Sequence, residues 1–382
     1  MTLTVANSLP VPVNGKVVLI SDHDYRTRRR ANMHPIADAL VRLGYDVTFI
    51  SVRFSALSRL KGDSRTFLWD QANTAEMHNG VRCYLWRTLI HPFYPRRAGL
   101  NELASLLYRA YANSPNTFLD QELSSASGVI VESGLGAVLL DRARRCNPDA
   151  IITYVASDDL ETVGVHPFVQ SRLELAMDSV DHFCLPSSKM AMNFRWAGDK
   201  VFHVPHGIDP ADFNLNDKNP YRSSPNAVSV GSMLFDEMVF VEGASRCPGV
   251  QFHVIGAGMT FDAPPNVHQY SEMPFKDTIA YIRHADVGIA PYRPAPGCDY
   301  LCDTSMKLMQ YQYLGIPAVC PIFAAGNSDR RFGYTPDDPD SMAQAIDAAL
   351  ASGRRDIQTR FLTWEDVAQR LLQPRAFSDT RA

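Results

Sequence analysis

The sequence lacks any stretch that could cross a membrane and any sign of a secretory leader. No apolar run in its 382 residues approaches the roughly 18 residues that a membrane-spanning helix needs. The segment 1–15 has neither the basic start nor the sustained apolar core that a signal peptide carries. We therefore expect the protein to be made and kept in the cytoplasm.

Paired cysteines are also missing. The chain has 7 cysteines, and the closest two, Cys298 and Cys302, have no second pair that would complete a zinc site. This usage predicts reduced thiols in a cytosolic protein. Asp22 and Asp24 have the spacing of a metal-binding carboxylate pair, but the basic run 26–30 behind them favours a charged loop that is balanced internally. Nothing else supplies clustered oxygen ligands, so we expect no metal ion.

A G-x-G-x-x-G turn is absent after the first predicted strand, which weakens the case for a dinucleotide-dependent dehydrogenase. What is present is the composition of a folded protein, with 46% hydrophobic and 20% charged residues. A chain of this length exceeds one ordinary core and suits two domains.

Strand-like and helix-like segments alternate along the chain. A strand at 16–21 is followed by a helix from about 28 to 43 and by a strand at 46–51. Further strands are predicted at 81–86, 128–131, 150–155, 182–185 and 201–204, and, after a Pro- and Asn-rich connection at 205–225, at 227–230, 250–255, 267–270, 287–290 and 318–319. This pattern, with its restart, indicates two doubly wound α/β domains that bind ligands at the carboxyl ends of their strands.

The segment 305–319 predicts a short helix, a Gly turn, a Pro and an apolar strand. The N-terminus of such a helix favours an anion, and Lys307 and Gln310 project from one face because they are three residues apart. This arrangement predicts a binding site for a nucleotide-linked phosphate. Gly231 and the pair Gly256 and Gly258 follow predicted strands, where small residues either let a ligand approach the backbone or simply form tight turns.

Two carboxylates, Asp158 and Asp159, directly follow the buried strand 151–156. One of them could act as a general base that takes a proton from an attacking hydroxyl. The alternative is that one or both only cap the next helix.

Positive charge is concentrated in the first third of the chain. Residues 1–110 contain 15 Lys and Arg against 8 Asp and Glu, a net +7, whereas the whole chain carries −4. The imbalance predicts a face that meets an anionic partner. Its candidates, called the basic patch below, are Arg28, Arg29, Arg30, Phe93, Tyr94, Arg96 and Arg97.

The second half of the basic patch precedes an amphipathic stretch, 100–111, whose predicted apolar face contains Leu103, Leu106, Leu107, Ala110 and Tyr111. Aromatic and cationic side chains beside an apolar helix face are typical of an interfacial membrane contact. A solvated basic loop beside a helix that packs on the core fits the same residues.

The order of these motifs resembles that of GT-B nucleotide-sugar glycosyltransferases over nearly the whole chain. The segments that carry the resemblance are 30–49, Val204–Asp209, Val228–Ser232, Ala285–Tyr292, 305–319 and Thr363–Ala368. Two positions depart from the family pattern: His206 replaces the usual Asn of an interdomain signature, and Gln310 replaces a Glu that usually contacts ribose. An amide still bonds hydroxyls but brings no charge.

Within that fold family the chain looks most similar to the bacterial membrane-associated glucuronosyltransferases of xanthan biosynthesis. The resemblance implies two Rossmann-like domains that face each other across a cleft. The acceptor domain would be 1–205 and the donor domain 206–361, with a C-terminal helix at 362–382 that crosses back to the first. It also implies UDP-glucuronate as donor, a polyprenyl-diphosphate-linked oligosaccharide as acceptor and inversion to a β-linkage in exopolysaccharide synthesis.

By the same resemblance, the donor site would be lined by Gly231, Met233, Glu272, Tyr292, Met306, Lys307 and Gln310. Asp158 or Asp159 would be the base, and Lys307 with its helix start would replace a metal ion at the leaving diphosphate. The expected partners are a UDP-sugar, a lipid-linked acceptor and an anionic membrane surface, with no cofactor, metal or nucleic acid. The protein would then sit peripherally on the inner face of the cell membrane. Two alternatives are a nucleotide-sugar 2-epimerase of the same fold and a non-catalytic glycan-binding protein.

Overall fold

The structure, a computed structural model, describes residues 15–28, 30–214, 218–356 and 360–381, and it divides the chain into two compact units. The first unit ends at Pro205 and resumes at Trp364, and the second runs from His206 to Thr363. Each unit is built on a sheet of parallel strands joined by helical crossovers. The predicted α/β fold with two doubly wound sheets is confirmed.

The first sheet has eight strands in the order β3-β4-β2-β1-β5-β6-β7-β8, all parallel except β3, which is antiparallel to β4. Strand β1 is an apolar run that is almost wholly buried, as expected for a strand covered on both faces. The strands are β1 (Lys16–Ser21), β2 (Asp46–Ser55), β3 (Ala75–His78), β4 (Val81–Thr88), β5 (Gly128–Glu132), β6 (Ile151–Val155), β7 (His182–Leu185) and β8 (Val201–His203).

The second sheet has six parallel strands in the order β11-β10-β9-β12-β13-β14. Its core contains Phe240, Phe252 and Val319, which are completely buried. The strands are β9 (Asn226–Val230), β10 (Gln251–Ile255), β11 (Val267–Tyr270), β12 (Val287–Ile289), β13 (Ala318–Pro321) and β14 (Arg331–Tyr334).

The helices of the first unit are α1 (Met33–Arg42), α2 (Ala56–Leu60), α3 (Ala98–Ala112), α4 (Thr117–Ser124), α5 (Leu140–Cys146), α6 (Pro167–Leu175) and the C-terminal α13 (Trp364–Leu372). Those of the second unit are α7 (Pro210–Phe213), α8 (Phe275–His284), α9 (Leu301–Thr304), α10 (Met306–Tyr313), α11 (Ile322–Ala325) and α12 (Pro339–Ser352). Within the described ranges, none of these helices combines the length and the apolar character that a bilayer crossing requires.

The C-terminal helix α13 packs on the first sheet. Its residue Glu365 forms an ion pair with Arg42 of α1, and the carbonyl of Leu371 accepts a hydrogen bond from Thr153 Oγ1 at 2.8 Å. Trp364 is buried at the start of the helix. The end of the chain therefore completes the first unit rather than the second.

Both sheets reverse their strand order at one point, between β1 and β5 in the first unit and between β9 and β12 in the second. In doubly wound folds, ligands bind outside the carboxyl ends of the strands at this point. The topology therefore directs attention to the loops after β1, β5, β9 and β12.

The predicted strands are all present, but the structure differs from the sequence-based expectation in three places. Strands β3 and β14 were not predicted, because their short sequences are half polar. Helix α1 begins at Met33 rather than near residue 28. The reason is that the carboxylate of Asp24 accepts hydrogen bonds from the backbone and guanidinium of Arg26, which holds this segment in a turn.

Candidate active site

The turn after β9 brings a backbone carbonyl close to a lysine. Gly231 has a φ of +91°, a conformation that a side chain would strain, and its N–H donates to the Ile255 carbonyl at 2.8 Å. Lys307 Nζ donates to the Gly231 carbonyl at 3.4 Å. The sequence-predicted Gly231 and Lys307 are therefore direct neighbours at the point where the strand order reverses.

Helix α10 is fixed at its first turn by Tyr292, three residues after the end of β12. The Tyr292 hydroxyl lies 2.5 Å from Ser305 Oγ, and Ser305 in turn caps the helix by accepting from the Leu308 N–H at 3.2 Å. Lys307 Nζ lies 5.1 Å from the centroid of the buried Tyr292 ring. Tyr292 thus positions both the start of α10 and its cation.

The same helix is anchored beneath the sheet by Tyr311, one turn after Lys307. Tyr311 is completely buried, and its hydroxyl contacts the carbonyls of Val228 and Ile289 at 3.0 and 3.2 Å. Gly288 lies against the ring so closely that any side chain there would overlap it. A rigid connection therefore joins the core to the first turn of α10.

The remaining predicted donor residues lie around this centre. Glu272 follows β11 and is exposed. It lies beside Gly256, which has a φ of +65°: a Cβ built on this glycine would be 3.6 Å from the Cα of Glu272. Met233, Met306 and Gln310 are half-buried. Lys307 contacts both Gly231 and Tyr292, whereas the roles of all seven residues in donor binding stay predictions.

In the first unit, Asp158 lies just after the end of β6. Its backbone N–H donates to Ser133 Oγ at 3.1 Å, and the Ser133 N–H donates to the Val155 carbonyl at 2.8 Å. These two bonds tie the loops after β5 and β6 together. They place the half-buried Asp158 at the carboxyl edge of the sheet.

Its neighbour Asp159 is engaged in building the following turn. Oδ1 accepts hydrogen bonds from the N–H groups of Glu161 and Thr162, both at 3.0 Å, and Oδ2 accepts one from Asn193 Nδ2 at 2.9 Å. Asp159 therefore stabilises a turn, whereas the next helix, α6, is capped by His166. The geometry therefore separates two carboxylates that the sequence could not distinguish, and the identity of the base stays a prediction.

Asp22 faces the loop after β5. Its Oδ1 accepts from the Leu135 N–H at 3.2 Å, and a Cβ at Gly134 would lie 2.9 Å from its Oδ2. Asp24 is instead buried, and its carboxylate forms an ion pair with Arg26. This pairing agrees with the prediction of a loop whose charges balance one another. Across the described residues, no group of three or more His, Cys, Asp or Glu side chains is arranged to hold a metal ion.

Glu132, the last residue of β5, is a buried carboxyl that the sequence interpretation missed. It accepts a hydrogen bond from Ser21 Oγ, and Ser21 Oγ accepts the His23 N–H at 3.0 Å. Burial raises the pKa of Glu132 to about 7, because the charged form is poorly solvated. The sequence did contain a sign of this buried carboxyl, because Glu132 ends the otherwise apolar run 128–132.

The second half of the basic patch packs against the loop after Asp158 and Asp159. The Tyr94 and His166 rings lie 5.0 Å apart, and a Cβ at Gly164 would lie 2.8 Å from Arg96 Nη2. Phe93 remains exposed, at 41%. Aromatic and cationic groups of the patch are therefore adjacent to the candidate base loop.

The first half of the basic patch, residues 28–30, is described at Arg28 and Arg30. Arg30 forms an ion pair with Asp38 of α1 and lies 5.9 Å from the Tyr25 ring centroid. Arg28 is exposed, and Arg29 lies outside the described residues.

Helix α3 does not bury the apolar face that was predicted for it. Ala104, Tyr108 and Tyr111 face the core, whereas Leu103 and Leu106 are 61% and 55% exposed. The prediction combined two faces because apolar residues surround most of this helix. The structure leaves a row of leucines on the surface, namely Leu100, Leu103 and Leu106.

Comparison with known proteins identifies relatives over almost the whole chain. The family described as "Glucuronosyltransferase GumK, N-terminal domain" matches residues 19–186. A UDP-glucuronate:glycolipid 2-beta-glucuronosyltransferase of Xanthomonas campestris pv. campestris is 43% identical over 95% of this chain and 91% of its own length.

Two solved structures share the fold at low identity. Sucrose-phosphate synthase from Thermosynechococcus elongatus has a TM-score of 0.59 at 13% identity, covering 95% of this chain and 96% of its own. An alpha,alpha-trehalose-phosphate synthase from Burkholderia xenovorans has a TM-score of 0.58, also at 13% identity and with the same coverage. At this identity the likeness concerns the fold alone.

Proposed function

This chain belongs to the GumK family of glucuronosyltransferases, and on that premise we propose that it transfers glucuronate from UDP-glucuronate to a lipid-linked oligosaccharide. The linkage formed would be β, and the reaction would serve exopolysaccharide synthesis. One observation carries the proposal. Lys307 contacts the Gly231 carbonyl and the Tyr292 ring at the point where the second sheet reverses its strand order. The family assignment favours a transferase over an epimerase or a glycan-binding protein.

The second unit would bind the donor. Lys307 and the first-turn N–H groups of α10 supply positive charge and hydrogen-bond donors for the diphosphate of a UDP-sugar. As the bond to the anomeric carbon breaks, negative charge grows on the leaving diphosphate, and fixed donors stabilise it most at that moment. Under this proposal the lysine and helix start take the place of a metal ion.

The first unit would bind the acceptor and carry the base. An acceptor hydroxyl attacks the anomeric carbon, the bond from that carbon to the diphosphate oxygen breaks, and UDP leaves. The hydroxyl proton passes to the carboxylate of Asp158. We favour Asp158 over Asp159 because Asp158 lies one residue closer to the end of β6, where its N–H is bonded to Ser133 Oγ in the loop after β5. One displacement of this kind inverts the anomeric configuration.

The acceptor's lipid implies that the first unit works at a membrane surface. The exposed Leu103 and Leu106 on α3, with Arg96 and Arg97 just before this helix, supply apolar and cationic groups side by side. Such a surface binds the interface of an anionic membrane through partial burial of the leucines and attraction to the headgroups. This peripheral attachment is part of the proposal.

UDP release tests the enzymatic part. The protein is incubated with UDP-glucuronate, UDP-glucose or UDP-galacturonate, with and without a lipid-diphosphate-linked oligosaccharide, in the presence of a chelator. We expect UDP release only when UDP-glucuronate and acceptor are both present, and a proton coupling typical of a β-linkage in the product. Conversion of a UDP-sugar without acceptor would instead indicate the epimerase, and no UDP release with any acceptor would indicate a binding protein.

Vesicle flotation tests the membrane part. The wild type should float with anionic vesicles at low salt and much less with zwitterionic ones. Neutralising Arg96 and Arg97, or replacing Leu103 and Leu106 with Ser, should each reduce the floating fraction. Arg246→Ala, which removes one surface arginine of the second unit, is the control for loss of positive charge away from this surface. Full solubility of the wild type under all conditions would refute this attachment.

A further inference from the structure

Arg53 has a backbone conformation that long side chains rarely adopt. Its φ is +60°, and it lies in β2 where the pairing with β4 is irregular between Ser51 and Phe54. Non-glycine residues in this left-handed region are uncommon, and they persist only where the surroundings enforce them. Such a residue calls for an explanation beyond strand formation.

Two buried side chains enforce this conformation. The Arg53 N–H donates to Tyr111 Oη at 3.1 Å, and its carbonyl accepts from Arg65 Nη2 at 2.9 Å. Arg65 also donates to the carbonyls of Asp22 and Val52, at 2.7 and 2.8 Å. Both Tyr111 and Arg65 are almost fully buried, so the core itself holds the bulge in place.

The result of this arrangement is a guanidinium at the ligand-binding edge of the first sheet. The Arg53 side chain is 53% exposed, and its Nη1 lies 3.6 Å from Asp22 Oδ2. The pairing of β1 with β2 ends at Ser21 and Ser51, so Arg53 lies beyond the end of β1. It is therefore beside the point where the strand order reverses between β1 and β5.

The surroundings of Arg53 favour an anion. Lys61 is exposed nearby, and the charge of Asp63 is taken up by Arg65, with contacts of 2.8 to 3.0 Å. His91 Nδ1 lies 2.8 Å from Ser55 Oγ. The pKa of His91 is lowered, mainly because the residue is partly buried and further because of the positive charges of Arg53 and Lys61. Arg53, Lys61 and Arg65 thus outnumber the two carboxylates of Asp22 and Asp63, and an anionic ligand would offset this excess of positive charge.

We propose that Arg53 binds the diphosphate that joins the acceptor oligosaccharide to its lipid. This inference rests on the proposed function and adds the group of the acceptor that the first unit recognises. The guanidinium is planar and presents paired donors that match phosphate oxygens, which a lysine would not reproduce. The headgroup of an anionic lipid offers the same chemistry, so the test must separate the two sources.

The position of Arg53 also sets a length requirement. Between the end of β2 and the end of β6, where Asp158 lies, there are three strand spacings, about 14 Å in all. The reacting hydroxyl and the diphosphate would be bound at these two positions. The acceptor therefore needs more than one sugar between its reactive hydroxyl and its phosphate.

The test compares two acceptors in neutral detergent micelles without anionic lipid. One carries the oligosaccharide on a lipid diphosphate, and the other carries the same oligosaccharide on an alkyl chain without phosphate. The variant is Arg53→Gly, because glycine adopts a φ of +60° without strain and should keep or increase thermal stability. We expect its KM to rise about 10- to 100-fold for the diphosphate acceptor and less than about twofold for the other.

The control is Arg59→Ala, which removes an exposed arginine that lies over the Trp69 ring and should leave both KM values within about twofold. UDP release by the wild type reports on the proposed function itself, independently of any variant. An equal change of KM for both acceptors, or none for either, overturns the inference. So does a loss confined to anionic vesicle binding, because the site would then serve a lipid headgroup.

Discussion

The carboxyl edges of the two sheets are built in different ways; we call them the donor edge, in the second unit, and the acceptor edge, in the first unit, after the ligands that we propose they bind. At the edge of the second sheet, one lysine, Lys307, directly contacts the glycine turn at Gly231 and the ring of Tyr292. At the edge of the first sheet, several ionisable groups lie together and are held by hydrogen bonds and an ion pair. These groups are Asp22, Arg53, Glu132, Asp158 and Asp159.

The difference matches the chemistry that each edge would perform. Holding a diphosphate needs donors and a positive charge at a fixed place, which a helix start and one lysine provide. Deprotonating a hydroxyl needs a carboxylate whose neighbours set its charge, and this requires several interacting groups. The donor edge should therefore respond to mutation through UDP affinity, and the carboxyl groups of the acceptor edge through rate and pH.

The largest effect should come from the acceptor edge. Asp158→Asn removes the proposed base and should lower kcat by roughly 10²- to 10⁴-fold, the usual contribution of such a group. Binding of UDP, measured by calorimetry, should stay unchanged because the donor residues belong to the second unit.

Asp159→Asn is the matched control. It should lower the melting temperature, with a stability loss of about 1–2 kcal/mol from weaker turn hydrogen bonds, and leave kcat within about tenfold. Near-normal turnover by Asp158→Asn, or a larger loss of kcat in Asp159→Asn, would show that the base has been assigned to the wrong residue.

Glu132→Gln tests whether buried carboxyls make the first unit sensitive to pH. The pKa of Glu132 is raised from 4.5 to about 7, so the folded state retains a proton that the unfolded state has already released. Its contribution to stability is full below about pH 4.5 and is lost as the pH rises through 7. The shift corresponds to about 3 kcal/mol.

The measurement is the free energy of unfolding of wild type and variant at pH 5 and pH 9. Wild type and Glu132→Gln should be similar at pH 5, and the variant should gain about 3 kcal/mol relative to wild type at pH 9. Buried histidines such as His34 and His182, with pKa values lowered to about 4 by burial, affect both proteins equally. A difference that does not depend on pH would mean that Glu132 is ionised throughout.

The two edges also differ in how much of them the sequence predicts. The donor edge follows from local patterns: Lys307 lies in a short helix before an apolar strand, and Gly231 directly follows another strand. The outline of both sheets follows in the same way from apolar runs. The strand ends differ from the predicted bounds by up to four residues, at Ser55.

The acceptor edge depends on contacts between distant parts of the chain. Arg53 owes its conformation to Tyr111, 58 residues away, and Glu132 owes its environment to Ser21, 111 residues away. Asp158 and Asp159 are adjacent in sequence and differ only in what surrounds them. Such features become visible when the fold brings the partners together.

Lys307→Ala tests the donor edge through affinity. Losing a charged hydrogen bond to the diphosphate should weaken UDP binding about 10- to 100-fold in calorimetry. Binding of uridine, which has no phosphate, should change less than about twofold. Arg246→Ala, which lies just before β10 and so near the opposite edge of the sheet, is the control for loss of one positive charge. Unchanged UDP affinity in Lys307→Ala would remove this residue from the site.

The smallest expected effect concerns Gln310, where the resemblance to GT-B enzymes leads one to expect Glu. If this side chain contacts the ribose, Gln310→Glu should tighten UDP binding about three- to fivefold, because hydroxyls bond a carboxylate more strongly than an amide. Repulsion between the new carboxylate and the diphosphate limits this gain in UDP affinity. The affinity for 2′,3′-dideoxy-UDP should not increase, since this nucleotide lacks the ribose hydroxyls. An equal change for both nucleotides would mean that the new charge acts through Lys307, three residues earlier on the same face. The donor edge would then couple its charged groups as the acceptor edge does, and the contrast between the two edges would be one of degree.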